Sequence, residues 1–189
     1  MGKNIQKAFT LIELIVIMAI MGIFSTMLFI DYGKNSKIFT LERAAQKAAQ
    51  DIRRAQEMAM GGSSAVTGAN AYGVYFNKTE VDNNNLKYII YGNKNVNWYY
   101  DSANPADVIS ETINIEKGIK ICDIKNVLNG SPVDSVSVSF KPPDPTTYID
   151  SYYTGYEASI ILCIDGDVTK TRTVKVNNSG RIDVTNPNP

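Results

Sequence analysis

The rhythm of apolar and polar positions changes three times along the chain. From Phe9 to Ile30 the residues are overwhelmingly apolar, and Glu13 is the one charge among them. About 20 apolar residues at roughly 1.5 Å rise per residue match the ~30 Å hydrocarbon core of a bilayer, so this run predicts a membrane-spanning helix. A cleavable secretory signal would be shorter and would end in small residues. This run ends in Met27-Leu28-Phe29-Ile30 and is expected to stay attached. After a polar break at Asp31 to Ser36, apolar residues fall at Ile38, Leu41, Ala45, Ala48, Ile52, Ala55 and Ala59. Steps of three and four make one helical stripe, with Arg43, Lys47, Asp51, Arg54 and Glu57 pointing elsewhere and Arg53 within pairing reach of Glu57. Gly61-Gly62 stops the pattern. No proline precedes Pro105, so the two segments predict one helical rod from Phe9 to Met60, roughly 78 Å long, with Gly22 and Gly33 its weak points.

From Ala71 the period drops to two, in short runs rich in Val, Ile, Tyr and Thr separated by Asn, Gly, Asp and Pro. Strands are predicted at 72–76, 86–91, 96–100, 111–116, 119–124, 135–140, 157–164 and 168–176, with a last one at 181–184. Ser135 to Phe140 alternates strictly, which assigns one face to a core and one to water. Asp165-Gly166-Asp167 and Asn177-Asn178-Ser179-Gly180 are hairpin signals. The fold class is therefore α+β: a long N-terminal helix, half transmembrane and half amphipathic, packed on an antiparallel β-rich head. The division read from these patterns is 1–8 leader, 9–30 transmembrane helix, 31–60 amphipathic stem and 61–189 head. The alanine stripe lets a sheet approach the stem closely, whereas the membranous half has only lipid or copies of itself to touch.

Composition narrows the chemistry. The 189 residues carry 19 basic and 19 acidic side chains, which gives no global electrostatic pull toward nucleic acid or anionic membrane. Histidine is absent, and with it the commonest general base and metal ligand. A Ser-His-Asp or Cys-His arrangement is excluded, Gly61-Gly62-Ser63-Ser64 lacks the lysine of a phosphate loop, and the chain is expected to be neither an enzyme nor the holder of a cofactor. Lys3 and Lys7 precede the span and bias its N-terminus to the cytoplasm, leaving the head outside. Cys122 and Cys163 then lie where a disulfide persists; two buried thiols are the alternative.

Glu13 is the anomaly, because an unpaired carboxylate in hydrocarbon costs roughly 2.5 kcal/mol or more. The run Lys7-Ala8-Phe9-Thr10-Leu11-Ile12-Glu13-Leu14 resembles the class III signal of type IV prepilins, with basic leader, small residue, Phe-Thr-Leu-Ile-Glu and long apolar run in that order. Ala8 stands where glycine is usual. The resemblance implies cleavage between Ala8 and Phe9 by a prepilin peptidase, N-methylation of Phe9, and a pairing of that terminal amine with Glu13 of a neighbouring subunit. Such a pair neutralises two charges that are each costly in lipid and sets the axial register of assembly. The plainer reading is that Glu13 snorkels to the near interface. The head resembles the GspH/FimT group of minor pilins and pseudopilins through Arg53-Arg54-Ala55-Gln56-Glu57 and the terminal Arg172-Thr173-Val174-Lys175-Val176 with Gly180-Arg181.

That resemblance implies a structural subunit, minor pilin or pseudopilin, of a type IV pilus or type II secretion pseudopilus. Its partners would be other pilin or pseudopilin subunits, the prepilin peptidase, an assembly platform in the cytoplasmic membrane, and membrane lipid, with no small-molecule substrate. The implied path runs from the cytoplasmic membrane to a filament in the periplasm or at the cell surface. The alternatives are a membrane-tethered binding module that never polymerises and a DNA-uptake pilin. For DNA the candidate contacts are Lys170, Arg172, Lys175 and Arg181, yet from Gly61 onward the chain has 11 basic against 14 acidic residues, a balance of −3. Arg172 is expected to support the fold by pairing with a carboxylate or sheet-edge carbonyls. Asp165 and Asp167 are read as turn residues, since a tight hairpin offers too few oxygens for calcium, and no metal site is expected. Residues 141–155 read as an exposed, proline-stiffened loop, either a contact surface for a neighbouring subunit or cargo, or a cap with Tyr148, Tyr152 and Tyr153 lying on the sheet.

Overall fold

The computed structural model describes residues 9–62, 66–94, 97–104, 107–126, 131–142, 146–150 and 155–186, with the backbone alone at 27–35 and at residue 84. Among the described residues a long α-helix, α1, runs Leu11–Met60. The chain divides into two compact units between Lys37 and Ile38. This boundary differs from the stem and head division expected from sequence. The amphipathic part of α1 belongs with the strands because its small residues are sealed into their core: Leu41, Ala44, Ala45, Ala48, Ala49, Ile52, Ala55 and Ala59 are all buried. Ala44 and Ala49 widen the predicted stripe, as a helix facing a sheet rather than another helix requires. The helix ends where Gly61 N–H donates to Glu57 O at 2.8 Å and Gly62 takes a left-handed φ of 59°, which a residue without Cβ adopts freely.

Among the described residues ten strands follow: β1 (Ala71–Asn77), β2 (Lys87–Asn93), β3 (Asp107–Asn114), β4 (Ile119–Asn126), β5 (Ser131–Val133), β6 (Ser135–Lys141), β7 (Thr146–Ile149), β8 (Glu157–Ile164), β9 (Asp167–Asn177) and β10 (Ile182–Thr185). They form two five-stranded antiparallel sheets, ordered β3-β2-β1-β6-β7 and β10-β9-β8-β4-β5. Inner-face residues of both, including Val74, Phe76, Ile90, Val138 and Phe140 from the first and Ile124, Ile160, Leu162 and Val174 from the second, join the helix stripe in a single apolar cluster. The two predicted hairpin turns are present, with Gly166 and Gly180 at φ 84° and 77°.

Two sequence expectations fail here. The stretch 141–155, read as a loop, contains β7, in register with β6 through Ile149↔Val138, with Thr147 and Ile149 buried. Pro142, Pro143 and Pro145 immediately before it hide the pattern, while the four residues of the strand contain no proline. Tyr148 on its outer side stacks against Trp98, ring centroids 5.3 Å apart, while Tyr152 and Tyr153 lie outside the described residues.

The second failure is 96–100, predicted as a strand. Trp98 has φ 56°, and residues 97–104 instead form a strap across the outer face of the first sheet. There Ser137 Oγ accepts from Tyr100 N–H at 3.0 Å, Ser139 Oγ donates to Trp98 O, and Asn93 donates to Tyr99 O at 3.1 Å. The serine face of β6, assigned to water by its alternation, is therefore buried under the strap. Gly73 makes room for this second layer: a Cβ there would come within 2.9 Å of the Tyr91 ring and 2.7 Å of Val138 O.

Candidate assembly segment and the polar contacts of the head

The N-terminal unit is arranged as a capped apolar helix. Thr10 takes the position before the first helical residue, and its Oγ1 accepts from Glu13 N–H at 3.3 Å while its carbonyl accepts from Leu14 N–H at 3.3 Å. The hydroxyl thus satisfies one of the donors that every helix start leaves open. Glu13, in the first turn, puts a negative charge at the positive end of the peptide dipoles. Around it stand side chains that nothing in this unit covers: Phe9 is 77% exposed, Leu11 78% and Ile12 71%, and exposure continues through Phe24. A contiguous surface of that size in a water-soluble protein marks contact with membrane or partner. Ala8, and with it the expected cleavage bond's leader side, lies outside the described residues. Among the described residues no helix is long and apolar enough to cross a membrane. The apolar run expected to cross one extends to Ile30, beyond the last of these side chains at Thr26.

In the head unit, polar contacts tie the helix to both sheets. Asp51 accepts from the Tyr88 hydroxyl at 2.5 Å, and Arg54 pairs with Glu111 at 2.6 Å. On the other sheet Arg172 Nε meets Glu42 Oε2 at 2.5 Å, and Arg53 donates to Ile182 O at 3.0 Å rather than pairing with Glu57. The Arg172 hydrogen bond, followed by one from Gln46, holds the Glu42 carboxyl below the usual glutamate range. Burial, the Asp51 hydrogen bond and neighbouring carboxylates push the Tyr88 hydroxyl far up. Arg172 also reaches Thr171 O and Asn186 Oδ1, so its donors are engaged with the fold.

The remaining nominated residues scatter. Lys175 pairs with Glu157 at 3.2 Å and Arg181 with Asp183 at 2.7 Å, while Lys170 is exposed at the β8–β9 end of the sheet. The four nominated DNA contacts therefore include three whose charge is already matched by a carboxylate. Asp165 pairs with Lys120 at 3.2 Å, and Asp167 accepts from the backbone and hydroxyl of Thr169, which are turn contacts. Among the described residues no cluster of three metal-ligating side chains occurs. Cys122 and Cys163 are bonded, Cα atoms 5.9 Å apart, across β4 and β8. Cys122 is the extra residue of a bulge, between the pairs Ile121↔Leu162 and Asp123↔Ile161. Sequence reasoning missed the Asp51–Tyr88 and Glu42–Arg172 partners, which only the packing of helix on sheets brings together.

Residues 3–29 match the model of the prokaryotic N-terminal methylation motif. This chain carries that methylation motif. It covers Phe9, Thr10 and Glu13 and the apolar helix that Thr10 caps, so the chemistry read from those residues and the family model fall on one segment. A comparison with curated proteins gives no match. Among solved structures the chain is similar to the type IV minor pilin FimU of Pseudomonas aeruginosa, at 14% identity over 77% of this chain and 87% of that one, with a TM-score of 0.47. It is also similar to the minor pseudopilin EpsH of the Vibrio cholerae type 2 secretion system, at 12% identity over 79% of this chain and 98% of that one, with a TM-score of 0.42.

Proposed function

We propose that this chain is a structural, non-catalytic subunit, a minor pilin or pseudopilin, of a type IV pilus or type II secretion pseudopilus. It is held in the cytoplasmic membrane by residues 9–30 with the head outside. A prepilin peptidase releases residues 1–8, the new Phe9 amine is methylated, and an assembly platform draws the subunit into a filament. The observation that carries this reading is the methylation motif over residues 3–29, sitting on a helix whose apolar side chains are bare around Glu13. Such a helix needs hydrocarbon or the same helix of a neighbour, and both are supplied in turn when a membrane subunit becomes part of a fibre. Glu13 then meets the ammonium of an adjacent copy, which removes the penalty of a lone carboxylate in an apolar medium. The Cys122–Cys163 bond suits a head exported to an oxidising compartment.

Mass spectrometry of the protein recovered from assembled filaments tests the proposal. The expected mature terminus is N-methylated Phe9. Recovery of filament protein that still carries Met1 to Ala8 would overturn it.

A further inference from the structure

The strap 97–104 and the outer face of the first sheet enclose an open recess of about 470 Å³, and the assembly role makes no use of it. Tyr75 and Tyr100, whose rings touch at 4.9 Å between centroids, line it together with Ile89. Tyr100 is fixed there by its N–H to Ser137 Oγ and by the ring of Tyr91 at 5.2 Å. Two further lining residues stand out to solvent at its rim: Tyr99 is 41% and Ile109 48% exposed. We propose that this recess binds a neutral sugar unit, stacking its C–H face on the tyrosines and hydrogen-bonding its hydroxyls at the rim.

Three observations select that chemistry. First, the lining is neutral. Lys87 and Asp101 are its one cation and one anion, so nothing there attracts a phosphate or a strongly charged peptide. Second, the rim holds unused hydrogen-bonding capacity of both kinds. Among the described residues the hydroxyls of Tyr99, Ser102 and Thr112 have no partner, and the Lys87 ammonium uses one donor on Asp82 O at 3.1 Å. Hydroxyls both donate and accept, which matches a ligand whose own groups do the same. Third, aromatic faces beside a few polar groups in a recess of this volume are the usual make-up of a small-ligand site, whereas the neighbouring sheet edge is poorly suited to an added strand. The register of β3 on β2 shifts between Ile90 and Tyr91, leaving Ser110 as an extra residue, and such a bulge turns an edge away from further pairing.

The test uses the full chain in lauryldimethylamine oxide micelles, since a detergent with a sugar headgroup would compete. Glucose, N-acetylglucosamine and their β1,4-linked disaccharides are titrated, and binding is read by ligand-observed saturation-transfer NMR. Trp98, the chain's one tryptophan and the neighbour of Tyr99, supplies emission as a second signal. The expected result is saturable binding of at least one sugar, weakened about tenfold or more by Tyr99→Ala, which removes ring and hydroxyl together, and weakened less by Tyr99→Phe, which removes the hydroxyl alone. Val168→Ala, an exposed position on β9, should leave it unchanged. Tighter binding of a disaccharide than of its monosaccharide identifies a glycan chain as the source, and equal binding a single sugar. Absence of saturation for every sugar, or undiminished binding by a Tyr99→Ala variant with a native circular dichroism spectrum, overturns the proposal.

Discussion

The two halves of α1 share one secondary structure and differ in nearly everything else. From Leu11 to Phe24 the helix presents Leu, Ile, Val, Met and Phe to its surroundings; from Ile38 it presents alanine to a sheet and buries it, with Ala45, Ala49 and Ala55 fully enclosed. Large aliphatic side chains gain most from an apolar medium that they do not have to fit, whereas alanine gains little by transfer and is useful where backbones must come close. The contrast therefore separates a segment that nothing in its own unit covers from one that the strands of its own unit enclose. Charge follows the same division. Glu13 stands among apolar neighbours of its own unit, while Glu42, Asp51 and Arg54 each have a partner on a strand.

The sharpest way to break this comparison is to change one residue in each half and ask which property moves. Glu13→Ala should reduce incorporation into filaments by about tenfold or more, while membrane insertion and head stability stay as in the parent, because removal of a lone carboxylate favours the apolar phase. Immunoblots of sheared filaments against membrane fractions measure this, and undiminished incorporation would sink the register role of Glu13. Within the head the largest effect on stability is expected from the disulfide. The bond closes a separation of 41 residues, so reduction should lower stability by about 2–4 kcal/mol, read as a shift of the urea midpoint with and without reductant. Ala48→Leu comes next. Extra methylenes at a position 1% exposed force the sheet away and should destabilise by about 1–3 kcal/mol, whereas Met18→Leu, in the bare half, should leave the head's melting temperature in place. Equal effects from those two variants would erase the distinction between the halves.

What the chain's pattern disclosed, and what it hid, follows the same physical line. The buried helix face from Leu41 to Ala59 was legible because a period of 3.6 is local, and the turns at Gly166 and Gly180 because left-handed backbone restricts residue choice. The methylation segment was legible for a related reason: leader, Phe9, Glu13 and apolar run are contiguous. β6 shows the limit. Alternating Ser and Val indicates two different faces, and nothing in the alternation says that the serine face is roofed by residues 97–104, whose placement rests on single hydrogen bonds to Ser137 and Ser139. β7 was hidden by the prolines that precede it, Pro142, Pro143 and Pro145. The recess beside the strap had no sequence signal at all, since Tyr75 and Tyr100 meet only after both β1 and the strap are in place.

Arg172 is the case in which the residue was legible and its partner was not, and it yields the smallest expected effect. The ion pair joins positions 130 residues apart. Glu42 is partly exposed, so solvent screening limits the pair to about 1 kcal/mol or less. Its pH dependence nevertheless identifies it. The folded-state pKa of Glu42 is depressed, so the native state binds its proton less readily than the unfolded chain. The contribution is then fully present above the ordinary glutamate value of 4.5 and is lost as pH falls below it toward the lowered one. Arg172→Ala should flatten that part of the stability curve and leave the neutral-to-alkaline side parallel to the parent. Urea midpoints at pH 3 to 7 for the two proteins make the comparison, and a pair of curves separated by a constant offset would show that Arg172 acts through packing of its stem rather than through the Glu42 carboxylate.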